Sequence, residues 1–579
     1  MCGILGIQST KAINEYLFIK SLNLMSHRGP DSEKIYKKNN TLLGFRRLSI
    51  IDLSSQSNQP MSSFDGKLTI IFNGEIYNYL EIKKKLVKQG YKFQSTGDTE
   101  VLLNGYHAWG PKVLDKINGM FAFAILNNDS GEIFLARDRL GIKPLYYYRK
   151  NNTFVFSSEM NSIIDLVKNN LSIDYTAIVD FFTYLYIPED KTIFKNIKKL
   201  LPGHYAILNN NTLSIKKYWD INFNNKNENL SLTDSVDALD SLINDSVKMR
   251  LVSDVPVGSF LSGGIDSSLI SYYASQNHKN IKTFYADFNN NYNNDISVSN
   301  FLKTDHKRKK VNNNDIDPFH LMKSYGDLHY DTSSLPFYQI SKLAKEDVTV
   351  CLSGDGGDEL FYGYSWFNEY INSSKYIFIQ SIYNYLDPSQ HIFNFSYLKG
   401  FKYKKYIIQN DLERYVYLRG GYTKLYLDKI LPKNILNEIP KDYDNNWLYR
   451  KYLSKKSINL KSRLQYLDIK NFMVNDILLK VDMMSMLNSL EVRVPFLDHR
   501  IVEFVFSLNK NFINENSNKF ILKELFRKKL PADFLEKKKI GFGFKNLRFS
   551  KPGTFNIFSS KGNNDVKLKN MKYLVESYL

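Results

Sequence analysis

Cysteine and long apolar runs are both scarce in this chain. Only two of its 579 residues are cysteine, Cys2 and Cys351. Two cysteines cannot supply the disulfide framework of a small secreted domain, so we expect a reducing, cytoplasmic setting. No apolar run reaches the length of about 18 residues that a membrane-spanning helix needs, so we expect none. A charged leader followed by an apolar stretch is also missing, and we expect no signal peptide.

Nucleic-acid motifs are missing as well, although the formal net charge is +19. The lysines are scattered among asparagine, isoleucine and tyrosine rather than gathered in a basic stripe, so we expect no nucleic-acid partner. The remaining composition, 43% hydrophobic and 24% charged, is typical of a globular protein. A single core stops growing at about 250–300 residues, so the length predicts two domains.

Short β runs separated by turn residues dominate the chain up to about residue 160. The stretch 67–86 predicts a strand, an Asn-Gly turn and a helix, and the stretch 119–141 predicts a hairpin around the run NNDSG. This pattern indicates an antiparallel α+β domain, which we place at residues 2–210. The polar run NFNNKNENLS leads us to place a linker at 211–235.

Strands alternate with helices after residue 235. The stretch 255–275 predicts a short strand, a glycine-rich loop and a helix, and the stretch 348–364 repeats that pattern. Such alternation predicts an α/β domain with a parallel sheet, which we place at 236–579. Residues 366–470 have a helical period but carry no chemical motif, and the polar end at about 550–579 is expected to be loosely held.

Cys2 would become the first residue of the chain if Met1 were removed, as methionine before a small residue commonly is. It would then carry both a thiol and a free α-amine. Because an α-amine titrates near about 7.7–8.0, it can act as the base for its own thiol at neutral pH. The alternative is a chance cysteine at a frayed chain end.

Further motifs follow MCGILG (1–6) in order: HRGPDS (27–32), RRLSIID (46–52), FNGEIYN (72–78), TGDTE (96–100) and RDRLGIKPLYY (137–147). Together they closely resemble the class II glutamine amidotransferase domain. The resemblance implies an Ntn-type antiparallel β sandwich with helices. It also implies that Cys2 hydrolyses glutamine to glutamate and ammonia through a thioester.

The same resemblance assigns residues to the glutamine substrate. Arg47 would pair with its α-carboxylate, which a guanidinium can bind with two hydrogen bonds, and Asp98 with its α-ammonium. Asn73 and Gly74 would form the oxyanion hole for the tetrahedral intermediate. Without the other motifs, Asn73-Gly74 is a plain turn dipeptide. Further contacts to glutamine are implied for Leu48, Ile51 and Glu75.

The run LSGGIDSS (261–268) follows an apolar stretch and opens a predicted helix. Glycine N–H groups at a helix N-terminus suit a phosphate, but the Gly-Lys-Ser/Thr ending of a Walker loop is missing. The run resembles the SGGxDS loop of the ATP pyrophosphatase family; the alternative is an ordinary β–α turn. The resemblance implies ATP contacts for Leu261, Ser262, Gly263, Gly264, Asp266, Ser267, Ser268, Ala286, Ser353 and Gly354.

A second glycine loop, LSGDGGDE (352–359), again follows a predicted strand. Asp266 of the first loop and Asp358 of the second would supply the hard oxygen ligands that Mg²⁺ prefers. Two carboxylates beside a phosphate cradle repel each other and the phosphates unless a cation lies between them. We therefore expect this pair to bind Mg²⁺ together with ATP. Cys351, in the strand before the loop, is expected to be a core residue.

Two C-terminal runs, 477–500 and 535–544, resemble signatures of asparagine synthetases. In the first, Glu491, Arg493 and Asp498 are expected to be mainly architectural. In the second, the resemblance implies that Lys539 stabilises charge that develops as the adenylate forms. The alternative for Lys539 is a solvated basic run, since three lysines lie together there.

From Cys2 to about Phe544 the chain therefore resembles the glutamine-hydrolysing asparagine synthetases of the bacterial B type. This resemblance implies an α/β ATP pyrophosphatase domain after the glutaminase domain. There ATP and Mg²⁺ would activate aspartate as β-aspartyl-AMP. Ammonia would arrive through an internal tunnel and attack it, which gives asparagine, AMP and pyrophosphate. The family also suggests a homodimer.

Three departures leave the acceptor carboxylate open. Asp355 stands where strict asparagine synthetases carry a glutamate linked to adenylate formation, and Gly357 stands where they carry serine. The segment YDTSSLPF (330–337) lacks their arginine before the proline. The alternative function is therefore an ATP-dependent glutamine amidotransferase acting on another carboxylate, such as a uronic-acid sugar of a surface polysaccharide. A third reading is a non-catalytic protein that kept the fold.

Overall fold

The computed structural model describes residues 2–223, 227, 229–287, 293–311, 317–373, 411–454, 458–509, 512, 518–535 and 566–579. Within them the N-terminal half contains two six-stranded sheets, in which every strand pair is antiparallel. Its strands are β1 Gly3–Ser9, β2 Ser32–Lys38, β3 Thr41–Arg47, β4 Met61–Ser62, β5 Leu68–Ile76, β6 Gly119–Asn127, β7 Ile133–Arg137, β8 Tyr146–Lys150, β9 Thr153–Ser157, β10 Ile197–Lys199, β11 His204–Asn209 and β12 Thr212–Lys217.

The two sheets pack face to face as a sandwich. One has the order β10-β8-β9-β1-β3-β2, and the other has the order β12-β11-β7-β6-β5-β4. Between them lies an apolar cluster that includes Ile4, Phe45, Ile71 and Phe156. Alternate residues of each strand point to one face, so the apolar alternation in the sequence fills this layer. The helices of this half are α1 Glu15–Asn23, α2 Tyr79–Lys88, α3 Asp98–Trp109, α4 Met160–Val167 and α5 Tyr175–Tyr184.

The C-terminal half is built on a parallel five-stranded sheet with the order β15-β14-β13-β16-β17. Its strands are β13 Val257–Phe260, β14 Lys282–Asp287, β15 Asp305–Lys310, β16 Val350–Leu352 and β17 Glu491–Arg493. Parallel neighbours need crossover connections, which helices supply here. These helices begin with α6 Leu232–Arg250, α7 Ile265–Asn277, α8 Asn294–Leu302, α9 Pro318–Lys323, α10 Ser334–Lys345, α11 Gly357–Leu360 and α12 Ser365–Ser373.

The remaining helices of the described residues follow α12, and those that end before residue 468 lie in the region without motifs. They are α13 Asp411–Leu418, α14 Lys424–Ile430, α15 Lys433–Asn437, α16 Trp447–Leu453, α17 Leu460–Leu467, α18 Leu478–Met486, α19 His499–Ser507, α20 Phe520–Lys529 and α21 Val566–Glu576. A π-helical segment, Asp468–Ile477, joins α17 to α18. None of the helices in the described part of the chain has the length and apolar character needed to cross a bilayer.

Both predicted architectures are confirmed, as are the 119–141 hairpin and both strand–loop–helix units. Three local predictions differ. Asn73 and Gly74 form no turn but continue β5, where they pair with Ala122 and Phe121 of β6. The segment assigned to the linker begins with β12, which closes a hairpin with β11. The described part of the chain end, 566–579, is well packed, because Leu574 and Val575 of α21 are buried; residues 550–565 lie outside the described residues.

One hydrophobic core cluster runs through both halves of the molecule. It includes Leu5 and Ile7 of β1, Leu352 of β16 and Val575 of α21. Cys351 is fully buried within the same cluster, as the sequence predicts. The N-terminal and C-terminal halves are thus held against each other by apolar packing.

Candidate active sites

Cys2 lies at the start of β1, the strand between β3 and β9 in the first sheet. Its backbone N–H donates to Oδ1 of Asn73 over 3.0 Å, and its carbonyl accepts from Nε of Arg28 over 3.1 Å. Its sulfur lies 3.9 Å from the carbonyl oxygen of Leu48. Burial raises the pKa of the thiol, so Cys2 is protonated at neutral pH unless a base takes its proton.

Asn73 and Gly74 are consecutive residues of β5, and Asn73 contacts Cys2. Because Oδ1 of Asn73 accepts from Cys2, its Nδ2 is the end that can donate, and it lies 3.5 Å from Oγ of Ser158. Gly74 is required by the close approach of β6, since a Cβ there would lie 2.1 Å from the carbonyl oxygen of Met120. A side-chain N–H and a backbone N–H are thus available together, which is the donor pair an oxyanion needs.

Arg47 ends β3 and is held by the loop that follows it. Its guanidinium donates to the carbonyl oxygen of Ser54 over 2.8 Å, to Oδ1 of Asn58 over 2.7 Å, and to the carbonyl oxygen of Asp52. These bonds fix the orientation of the fork that a carboxylate would meet. Ile51 in this loop is partly buried, and its side chain packs against the cores on either side.

Asp98 begins α3 and accepts a hydrogen bond from the backbone N–H of Ile76 over 2.8 Å. Burial raises its pKa to about 6, despite that hydrogen bond. Glu75 is also buried, and burial together with the charges of Glu491 and Asp98 raises its pKa well above the usual value. Nη2 of Arg493 lies 3.8 Å from Oε1 of Glu75 and provides a positive charge beside these acids.

The first glycine loop connects β13 to α7. The hydroxyls of Ser262 and Ser267 lie 2.9 Å apart, and the backbone N–H of Ser262 donates to Oγ of Ser267 over 3.2 Å. Gly263 has a φ of +73°, and a Cβ there would lie 2.6 Å from the backbone of Asn294. The predicted ATP residues Leu261, Ser268 and Ala286 are buried in or near the same edge of the sheet.

The second glycine loop connects β16 to α11 and packs closely against the first. The two loops lie together because β13 and β16 are parallel neighbours and their carboxyl ends meet. A Cβ on Gly354 would lie 2.9 Å from the backbone of Asp266, and a Cβ on Gly357 would lie 2.5 Å from its Oδ1. A serine at position 357 would therefore require the carboxylate of Asp266 to shift.

Asp266 and Asp358, the predicted metal ligands, converge on a third residue, Lys519. Nζ of Lys519 lies 2.7 Å from Oδ1 of Asp358 and also bonds Oδ2 of Asp266. No group of three or more histidine, cysteine or acidic side chains arranged to hold a metal occurs among the described residues. A cation at this pair would therefore need ligands beyond the described acidic, histidine and cysteine side chains, such as phosphate oxygens.

Asp355 lies within the second glycine loop, and a second basic residue, Lys480 of α18, is close enough to influence its charge. Oγ of Ser353 donates to Oδ2 of Asp355 over 2.5 Å. Burial raises the pKa of Asp355, the charge of Lys480 opposes this shift, and the charges of Asp358 and Asp266 add to it. Nζ of Lys480 contacts Oδ2 of Asp331 at 3.0 Å and Oγ of Ser333 at 2.8 Å.

Comparison with known families agrees with this pairing of sites. The family described as "Glutamine amidotransferase domain" matches residues 1–219, and the family described as "Asparagine synthase" matches residues 238–555. The chain belongs to the asparagine synthase family. The first family covers the antiparallel sandwich with Cys2, and the second covers the parallel sheet with both glycine loops.

Two relatives in this family come from Bacillus subtilis (strain 168). "Asparagine synthetase [glutamine-hydrolyzing] 1" is 34% identical, with 94% of this chain and 87% of the relative covered. "Asparagine synthetase [glutamine-hydrolyzing] 3" is 30% identical, with 93% and 86% covered. Among solved structures, a glutamine phosphoribosylpyrophosphate amidotransferase from B. subtilis covers 49% of this chain and 65% of its own at 16% identity, with a TM-score of 0.30.

Two lysines in this asparagine synthase family member escape prediction from sequence. Neither Lys519 nor Lys480 is marked by a motif of its own in the sequence. Only the fold brings Lys519 to Asp266 and Lys480 near Asp355. The available signal for Lys480 was its place in the run 477–500 that resembles the family signature. Lys539, the lysine that sequence reasoning did select, lies outside the described residues.

Residues expected to be architectural join the two halves at the glutaminase site. Arg493 pairs with Glu491 at 2.6 Å and approaches Glu75 from the C-terminal half. Asp498 pairs with Arg250 at 3.1 Å and accepts from the side chain of Asn118. The asparagine synthase half therefore supplies charged groups to the wall of the glutaminase half.

Proposed function

We propose that this protein is a glutamine-hydrolysing asparagine synthetase that links two reactions through ammonia. The observation that carries the proposal is the presence of two different sites in a single chain. Cys2 is bonded to Asn73 beside Gly74, and two glycine loops direct the carboxylates of Asp266 and Asp358 onto one cationic group. A glutaminase alone would need only the first arrangement, and a synthetase using free ammonia would need only the second.

Glutamine hydrolysis begins at Cys2, with Met1 removed so that the exposed α-amine takes the thiol proton. The sulfur attacks the side-chain amide carbon, and the amide oxygen becomes an oxyanion. Nδ2 of Asn73 and the backbone N–H of Gly74 stabilise that charge; loss of one such donor typically lowers kcat by about 10²–10³. The proton passes to the leaving nitrogen, ammonia departs, and water hydrolyses the thioester to glutamate.

Arg47 and Asp98 hold the ends of the glutamine during these steps. The loop bonds of Arg47 fix its guanidinium, so that its remaining donors can bind the α-carboxylate with little loss of side-chain entropy. Asp98 binds the α-ammonium, which stabilises the ionised form of a carboxylate whose pKa is about 6 without substrate. Leu48, Ile51 and Glu75 complete the contacts to the substrate.

In the second site the glycine loops bind ATP. Backbone N–H groups of the first loop and the hydroxyls of Ser262 and Ser267 receive phosphate oxygens at the N-terminus of α7. Asp266 and Asp358 fit Mg²⁺, because each already directs an oxygen onto a common cation. Magnesium bound there would neutralise the polyphosphate and make pyrophosphate a better leaving group. Lys539 is proposed to stabilise the charge that develops as the adenylate forms.

The acceptor is proposed to be aspartate. Its β-carboxylate attacks the α-phosphate, pyrophosphate leaves, and ammonia then attacks the acyl carbon of the resulting acyl-adenylate and displaces AMP. Lys480 supports this assignment. It bonds Asp331 and Ser333 in the segment that lacks the family's arginine, and so supplies a positive charge there for an acidic substrate. Asp355, in the second glycine loop and under the influence of the Lys480 charge, is proposed to handle the ammonia protons. Lys480→Met is expected to raise the KM for aspartate more than tenfold, with little change in the KM for glutamine.

The proposed function is tested by incubating the full chain with glutamine, ATP, Mg²⁺ and aspartate, and by following AMP and pyrophosphate. Aspartate should be required for AMP formation, and asparagine should appear in equal amount. AMP formation with a uronic acid but not with aspartate would support the alternative acceptor instead. No AMP formation with any carboxylate would contradict both functions.

Three accompanying assignments are part of this proposal. We place the end of the glutaminase domain after β12, later than the 2–210 boundary, with the synthetase domain from about residue 236 onward. A cytoplasmic location fits the two free, buried cysteines. We keep three predictions from the sequence as part of the proposal: the protein forms a homodimer, it has no nucleic-acid partner, and its substrates are small molecules.

A further inference from the structure

Lys519 occupies the position between the two carboxylates that are proposed to bind the metal. Its Nζ lies 2.7 Å from Oδ1 of Asp358 and also bonds Oδ2 of Asp266. The side chain of Lys519 is only 6% exposed, whereas those of Asp266 and Asp358 are 19% and 21% exposed. The ammonium is therefore deeper than the acids that it bridges.

The backbone around Lys519 is shaped to hold it there. Lys519 precedes the first residue of α20 with a φ of +59°, and its N–H donates to the carbonyl oxygen of Phe361 over 3.0 Å. Gly363 leaves the space for the contact, because a Cβ there would lie 1.8 Å from Oδ1 of Asp358 and 2.3 Å from Cε of Lys519. A lysine held by its backbone and matched by a glycine is a built feature of the site rather than a surface ion pair.

A lysine ammonium and a divalent cation cannot share this position. Both need the same carboxylate oxygens, and like charges at such separation repel strongly in a partly buried site. Mg²⁺ requires near-octahedral oxygen ligation at about 2.0–2.1 Å and gives up its water reluctantly. Two carboxylates already neutralised by an ammonium are therefore a poor site for a metal that arrives alone.

We propose that Lys519 is a resident counter-ion that keeps the metal site closed until the nucleotide brings its own negative charge. This inference rests on the proposed ATP site. When polyphosphate binds, Lys519 releases the two carboxylates and bonds to phosphate oxygens, and the carboxylates become available to the metal. The device makes metal binding depend on nucleotide, and it prevents the two acids from repelling each other in the nucleotide-free enzyme.

The test measures binding of Mn²⁺, used as the probe metal without nucleotide, by electron paramagnetic resonance. The wild-type chain should bind no Mn²⁺ at this site below millimolar concentration. Lys519→Met should bind one Mn²⁺ per chain at least tenfold more tightly. Its melting temperature should be lower than that of the wild type and should recover when Mg²⁺ is added alone.

The matched control is Lys529→Met. Lys529 is the last residue of α20, the helix that Lys519 precedes, and it pairs with Asp240 of α6 at 2.6 Å. It should remove an ion pair without creating Mn²⁺ binding. Asp358→Asn added to Lys519→Met should abolish the new binding, which assigns it to this site. Retained glutaminase activity reports that each variant is folded, and Lys519→Gln serves in place of Lys519→Met if the latter does not fold.

Two results would overturn the inference: tight Mn²⁺ binding by the nucleotide-free wild type, or no gain of binding in either folded Lys519 variant. These failures are distinct from a failure of the proposed function. If the wild type forms AMP from ATP and aspartate, the proposed reaction stands whatever the Mn²⁺ result. If it forms none with any carboxylate, the reaction is wrong even where Lys519 controls metal binding.

Discussion

Nη2 of Arg493 lies 3.8 Å from Oε1 of Glu75, and this approach joins the synthetase half to the glutaminase half. The backbone carbonyl of the same arginine accepts from the N–H of Ser353 in the second glycine loop over 2.9 Å. One residue thus contacts a predicted glutamine-binding residue with its side chain and a predicted ATP-binding residue with its backbone. A displacement of β17 would therefore change the contacts of Arg493 at both sites.

Replacement of Arg493 by methionine should therefore damage the whole molecule. It leaves the buried carboxylates of Glu491 and Glu75 without their arginine, and breaking a buried ion pair typically costs about 3–5 kcal/mol of unfolding free energy. Urea denaturation checks this loss. Arg46→Met removes a more exposed pair, with Glu33 at 2.8 Å, and should cost no more than about 1 kcal/mol. Equal losses in the two variants would contradict the role given to Arg493.

Acidification should weaken glutamine binding before it affects other steps. Burial raises the pKa of Asp98 to about 6, so its carboxylate is ionised at pH 7 to 8 and becomes protonated as the pH falls through 6. A protonated carboxyl cannot pair with the α-ammonium, so the KM for glutamine should rise between pH 7 and pH 5. Asp98→Asn should have a high KM that no longer changes over this range. A wild-type KM that is constant from pH 5 to 7 would exclude Asp98 as the ammonium partner.

Cys2→Ala should separate the two reactions. Glutamine-dependent asparagine formation should disappear, while formation from added ammonia should persist, because ATP and aspartate bind in the other half. The intact mass of active wild-type enzyme should lack Met1, since the base is the amine that its removal exposes. Active enzyme that retains Met1, or a Cys2→Ala variant that still uses glutamine, would refute this mechanism.

Gly357→Ser restores the serine of the strict asparagine synthetases and should nevertheless inactivate this synthetase. The added Cβ would lie 2.5 Å from Oδ1 of Asp266 and would displace this carboxylate, which is a proposed metal ligand. AMP formation should fall by at least tenfold, while the glutaminase activity of the same variant should stay close to that of the wild type. Unchanged AMP formation would mean that the carboxylate can move at little cost.

The sequence predicts this fold well wherever local pattern and chemistry agree. The units around β13 and β16 follow from apolar runs and glycine loops alone. Asn73-Gly74 misleads because the dipeptide favours turns, whereas nine residues of cross-strand pairing along β5 and β6 hold it extended. The polar β12 misled because backbone pairing with the adjacent β11, not an apolar pattern, makes it a strand. The helix α21 misled because its partner α9 is distant in sequence.

The site shows the same division. Cys2, Arg47, Asn73 and Asp98 stand in recognisable runs, because their chemistry demands particular neighbours. Lys519 lies 253 residues from Asp266, and nothing near it in the chain marks it as a partner. Only the packing of α20 against α6 and α7 brings its ammonium to the glycine loops, and long-range packing is not encoded in any local pattern.

The apolar cluster that extends from β1 to α21 has a thermodynamic consequence. Because this cluster is shared, unfolding of one half would expose apolar surface of the other, so heat should melt the two halves together even though the glutaminase half also contains two clusters of its own. A ligand that binds only the native state adds about 2.7 kcal/mol at 100 times its dissociation constant, wherever it binds. Glutamine should therefore protect the nucleotide loops from unfolding, and nucleotide should protect the thiol.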